Sequence, residues 1–165
     1  MTDFRTRTPD EVAELGSRLR ALDWSWRFDE IPAIAEQFGW RVVSTSEDED
    51  WVMLDTGLGL ASGKVFADDG DVERVQVSVS TIGPDTSETH TLVQQAHAAM
   101  AARLVATLGA PSTEITDGNT ELRWAGSGST LILAALARSI ALTLASDEWL
   151  ELFDEGAELS RRGQL

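Results

Sequence analysis

Acid–base chemistry in this sequence is confined to carboxylates, Lys64 and two histidines, because its 165 residues include neither tyrosine nor cysteine. The absence of cysteine also removes thiol nucleophiles, thiolate metal sites and disulfides. His90 and His97 stand seven apart. On a helix they share a face but are separated by about 10.5 Å along the axis, too far to hold one metal or relay one proton. Both read as exposed or half-buried polar residues. Asp68-Asp69-Gly70-Asp71 lacks the order of an EF-hand loop and reads as a hairpin turn. Gly57-Leu58-Gly59 lacks the rest of a dinucleotide fingerprint. Gly126-Ser127-Gly128-Ser129 is a turn without the strand–helix setting of a nucleophile elbow. No HExxH or Walker A motif is present. The expectation is therefore no catalytic residue, no metal and no cofactor. A carboxylate-dependent enzyme stays open as an alternative, since the pairing of acids in space cannot be read from their order.

The residues left for binding are long, neutral and polar. Gln94 and Gln95 lie early in a helical stretch over 86–108, which is free of internal Gly and Pro and is stopped by Gly109 and Pro111. Asp85, Ser87 or a neighbour caps its start. Val93, Ala96, Met100, Leu104 and Leu108 form its apolar stripe. The glutamines point away from that stripe, as solvated residues or, with His90 and the 83–90 loop, as a tip presented to a partner. Trp24 and Trp26 share one side of an extended segment, where they read as a core plug or an exposed anchor.

The elements around this helix follow from pattern. Thr8-Pro9-Asp10-Glu11 opens a helix over 9–22, with Val12, Leu15, Leu19 and Leu22 on one face. Asp29 is a candidate cap for a second helix over 30–38, ended by Gly39. Strands follow at 40–44 and 51–55. The glycine-containing 56–63 stretch is expected to stay extended with a bulge or bend. Lys64–Ala67 turns through Asp69-Gly70 into a strand where Val75, Val77 and Val79 alternate with polar residues. After the long helix come strands at 112–116 and 121–124, with a turn at 117–119. The apolar 131–145 stretch suits a helix, or two strands broken near 137–139; alternation favours the strands. Segment 140–144 is expected to self-pair only if it lies at a sheet edge. A last helix begins at Ser146, with Trp149, Leu152 and Phe153 expected on its inner face. The tail, SRRGQL, reads as frayed. The whole is expected to be a single α+β domain over 1–165. An antiparallel sheet of two meanders packs on the long central helix, with an N-terminal helix pair and a C-terminal helix, the helices on one face.

Charge narrows the partner. The chain carries 28 acidic and 13 basic side chains, a net −15. That repels nucleic acid and steers basic proteins, though solubility accounts for it equally well. No apolar run spans a membrane, and MTDFRTRTPDE has no signal-peptide core, so a cytoplasmic protein is expected.

The segments LDWSW (22–26), FGW (38–40), WVMLDTGLG (51–59) and LGAP (108–111) resemble a family of small actinobacterial proteins near the immunity factor of the tuberculosis necrotizing toxin. The resemblance covers about 10–145 and its motifs are structural. It implies a cytosolic antitoxin that occludes a secreted, NAD-degrading toxin, with Gln94 or Gln95 at the entering tip. The competing expectation is an acidic secretion chaperone that dimerises and binds an export substrate. Monomer and homodimer both remain open.

Overall fold

The computed structural model describes residues 4–116 and 120–163. The expected turn at 117–119 and the last two residues of the tail fall outside them. The first helix, α1 (Pro9–Arg20), starts at a capping box: the Thr8 hydroxyl accepts from the Glu11 N–H at 3.1 Å, and Glu11 accepts from the Thr8 N–H at 2.9 Å. A 3-10 turn, Phe28–Glu30, leads into α2 (Ile31–Phe38). Asp29 therefore lies inside that turn and does not cap α2. Gly39 ends α2 at φ 74°.

Four strands follow: β1 (Arg41–Thr45), β2 (Trp51–Asp55), β3 (Gly63–Asp68) and β4 (Asp71–Ser78). Asp69 and Gly70 both have positive φ, 51° and 80°, as a type I′ hairpin between β3 and β4 requires. Stretch 56–62 is not extended. Gly57 and Gly59 sit at φ 115° and 123°, so the chain turns there, and the Ser62 hydroxyl closes the loop on the Thr56 N–H at 2.8 Å.

The long helix α3 (Ser87–Leu108) is capped by Thr86, whose hydroxyl accepts from the Thr89 N–H. The remaining strands are β5 (Thr113–Ile115), β6 (Glu121–Ala125), β7 (Ser129–Ala135) and β8 (Ile140–Ser146). The last helix, α4 (Asp147–Arg161), is capped by Ser146 and takes in the beginning of the tail.

All eight strands form one antiparallel sheet in the order β1-β2-β3-β4-β8-β7-β6-β5. The two meanders join where β4 meets β8, with Val75 opposite Leu144 and Val77 opposite Leu142. The α+β architecture is thus as the sequence implies, and 131–145 is the expected strand pair. Because β8 is central, the 140–144 segment has no free edge for self-pairing.

Alternation along each strand sends one set of side chains inward. Val52, Leu54, Val65, Val75, Leu131, Leu133, Leu142 and Leu144 are buried on this inner face, which α1, α2 and α3 cover. Each Leu removed from water there contributes about 1.5–3 kcal/mol. Asp10 in the first turn of α1 pairs with Arg103 of α3 at 2.7 Å, joining the two helices. They approach closely at Gly16, where a Cβ would stand 2.9 Å from Leu104 Cδ2.

The sequence placed all helices on one face; α4 lies on the other. Leu150 packs on Ile132 and Ala145, which alternate with the inner-face residues of β7 and β8. Leu150 is the buried apolar contact of α4, whereas Leu152 and Phe153 are 65% and 54% exposed. Their expected inward placement is therefore corrected. A terminal helix can fold back on either face of a sheet, and the small Ala134, Ala141 and Ala145 side chains leave room on this one.

Candidate functional site

Three places could do work. The first is the expected tip on α3. Gln94, Gln95 and His90 are all exposed there, on the side of α3 turned from the sheet. His90 lies 3.4 Å from Asp85. His97 departs from expectation: it is buried, and its Nε2 donates to the Leu133 carbonyl at 3.2 Å. Burial pushes its pKa below the ordinary histidine value, opposed by that hydrogen bond and by Glu114. The structure thus keeps the two histidines apart, one in solvent and one in the core.

The second is a cavity of about 550 Å³ at one end of the sheet, lined by Trp24, Trp26, Arg20 and the 126–129 turn. Trp24 and Trp26 are half-buried, with ring centroids 4.9 Å apart, and pack on the core of the first meander. This matches the core-plug reading. Trp24 Nε1 is buried without a partner among the described residues. One water-sized acceptor satisfies such a donor, so the cavity specifies little.

The third is the outer face of the sheet beside α4. Here the residues alternating with the core stand in cross-strand rows: Trp51, Phe66, Arg74 and Ala145 in one, and Lys64, Gln76, Thr143, Ile132 and Arg123 in the next. Two arginines on this face have contrasting surroundings. Arg123 is 8% exposed. It donates from Nε to Glu121 at 2.5 Å and through its fork to both Asp154 oxygens at 2.7 and 3.0 Å. The Asp154 hydrogen bonds, then Glu121, raise its pKa above the ordinary arginine value, with burial opposing. This ties α4 to β6.

Arg74 makes no hydrogen bond or ion pair with any described residue. Its guanidinium carbon lies 3.9 Å from the Phe66 ring centroid and 4.5 Å from that of Trp149. Trp149 in turn stacks on Phe153, one helical turn on, at 5.0 Å. Burial pulls the Arg74 pKa below its usual value, while the adjacent Glu73 opposes the shift. A groove of about 270 Å³ runs from Arg74 past Gln76 and Thr143 toward Ile132, Ala134 and Leu136. Beyond Phe66 the face continues over Trp51, Met53 and Lys64.

Sequence reasoning gave Arg74 no role. The alternation that marks a wet face there begins at Gln76, and one of the two rings that meet Arg74, Trp149, comes from a helix expected on the other face. The available signal was the Trp149–Phe153 spacing, an aromatic pair at i and i+4 on a helix following the last strand.

Among the described residues, no group of three or more His, Asp or Glu side chains is placed to hold a metal ion. No helix there is long and apolar enough to cross a membrane. The chain belongs to DUF6301, a family of unknown function, whose model matches residues 10–146. The match runs from the first turn of α1 through β8 and stops at the residue that caps α4. No curated protein and no solved structure matches the chain.

Proposed function

We propose that this chain is a non-catalytic immunity protein that binds and occludes a toxin in the cytoplasm. The observation that carries the reading is the solvent face of α4. Leu152 and Phe153 stand exposed there, among the exposed acids Glu148, Glu151 and Glu155. Two adjacent apolar side chains ringed by acids suit a basic surface containing an apolar pocket. That is the helix-in-groove mode, with charge supplying steering. Trp51 and Leu136, 39% and 37% exposed, extend the apolar area across the open outer face. A stable complex needs about 800 Å² from each partner. Gln94, Gln95 and His90 offer a second, wholly polar surface on the opposite side. An NAD glycohydrolase is the target implied by the resemblance at 22–26, 38–40, 51–59 and 108–111.

The test is co-expression with each toxin encoded beside the gene, scored by growth. The wild type is expected to rescue one toxin, and Leu152→Asp with Phe153→Asp to abolish rescue while the protein stays folded. Gln94→Ala with Gln95→Ala should leave rescue intact; loss in that pair alone would move the interface to the α3 tip. Failure to rescue any neighbouring toxin ends the immunity reading.

A further inference from the structure

We propose that the groove beside α4 binds a small organic carboxylate with a short apolar body, and that Arg74 is the residue that anchors the carboxylate. This goes beyond the toxin reading and is tested without any protein partner.

Arg74 supplies the first argument. Guanidinium carries five N–H donors in a planar fork. The Phe66 and Trp149 rings stabilise its charge but offer no oxygen. Arg123, on the same face, shows what a structural arginine does here: its donors are spent on Glu121 and Asp154. Arg74 is half-buried yet leaves its donors unspent, held by aromatic contacts that fix the group before a ligand arrives. A planar fork of this kind matches a carboxylate bidentately.

The surroundings set the rest of the ligand. Arg74 is the unpaired charge lining the groove: the other charged lining residues, Arg123 and Glu121, are bonded to each other, Arg123 also to Asp154, in a chain of net −15. A monoanion is favoured and a dianion such as phosphate is repelled. Gln76 and Thr143, cross-strand neighbours next to Arg74, supply neutral polar groups. Past them the floor drops at Ala134 opposite Ala141, between the apolar walls of Ile132 and Leu136. The groove volume, about 270 Å³, lies just under the usual range of ligand pockets, about 300–1,000 Å³. That fits a short-chain acid and not a nucleotide-sized cofactor.

Octanoate is the probe. It is titrated into the full-length protein by calorimetry and by ¹H–¹⁵N NMR of the six tryptophan indoles. The expected result is saturable binding that shifts the Trp149 indole signal, with octan-1-ol and inorganic phosphate each weaker by about tenfold or more. Arg74→Gln should weaken octanoate by about tenfold or more, and Arg74→Lys by less. Ala134→Leu, which fills the floor without touching Arg74, should abolish binding. Equal affinity for octanoate and octanol, unchanged binding in Arg74→Gln or Ala134→Leu, or no saturable binding by the folded wild type would each overturn the proposal. Tighter binding of an apolar tetrapeptide through its free C-terminus would overturn the assignment to a small acid. None of these outcomes depends on rescue from a toxin, so the two readings fail separately.

Discussion

Replacing Arg123 with Gln should cost about 2 kcal/mol of stability, and the structure sets that figure. Removing one member of a buried ion pair costs about 3–5 kcal/mol when the other is left dry. Charge-assisted hydrogen bonds contribute about 1.5–3 kcal/mol. Here the arginine is nearly enclosed, with 10% of its side chain exposed, but Asp154 and Glu121 are 46% and 25% exposed. Both carboxylates can rehydrate once the guanidinium is gone, which places the loss toward the lower range. For a chain of this length, about 2 kcal/mol corresponds to a fall in Tm of about 4–8 °C. Urea denaturation should show a lower midpoint with an unchanged slope. The sharper assay is the cycle of Arg123→Gln, Asp154→Asn and the double variant, where a coupling of about 1–1.5 kcal/mol is expected. Each single variant should also speed amide exchange in α4 more than in β7 or β8, because this fork fastens the helix to the sheet. Additivity within about 0.3 kcal/mol, or exchange unchanged in α4, would refute the reasoning.

Burial lowers the His97 pKa in the fold, whereas the unfolded chain takes up a proton near the ordinary histidine value of about 6.5. The unfolded state then binds more protons, so stability rises with pH: it is fully present above about 6.5 and is lost on acidification below it, by up to about 1.4 kcal/mol per unit. Urea midpoints at pH 7.5 and 5.5 should differ in the wild type, and the difference should shrink in His97→Leu. Gly70→Ala puts a side chain at φ 80°, with its Cβ 2.8 Å from Arg27 Nη2, and should cost about 1–2 kcal/mol. An unchanged denaturation midpoint for that variant would show that the β3–β4 turn tolerates an ordinary residue.

The α+β plan was legible because each helix announces its ends and each strand its alternation. Even 131–145, apolar nearly throughout, showed its strands through size: Ile140, Leu142 and Leu144 face the helices, while Ala141 and Thr143 face the other way. Three features were not legible, each for a tertiary reason. The 56–62 loop holds the residue types of a weak strand, but Gly57 and Gly59 adopt backbone angles that end one. The seven-residue spacing put both histidines on one helical face. Yet His90 occupies the exposed first turn, while His97 reaches a strand carbonyl. The apolar pattern of α4 identified a face to bury, not the side of the sheet that would receive it. The site inherited that gap, since Trp149 meets Arg74 only once α4 lies on the outer face.

The element order explains why Arg74 sits where it does, and yields a last prediction. Two helices and four strands, α1 and α2 with β1–β4, are followed by one helix and four strands, α3 with β5–β8. The halves meet at the antiparallel β4–β8 pair and share no fixed sequence period, because alternation and helical stripes suffice to build each. Both halves bury their inner face. The outer face is treated unequally: α4 covers part of the second half, and Phe66 and Trp51 stay at the surface of the first. Arg74 stands at that boundary, touching a ring from each side. A residue kept there for stability alone would be apolar, since Leu would pack on the same rings without desolvating a charge. The two aromatic contacts return about 0.5–2 kcal/mol, much of which Leu would recover by packing. Arg74→Leu should therefore leave the urea midpoint unchanged or raised while abolishing octanoate uptake. A midpoint lowered by more than about 1 kcal/mol equivalent, with octanoate still bound, would make Arg74 a structural residue.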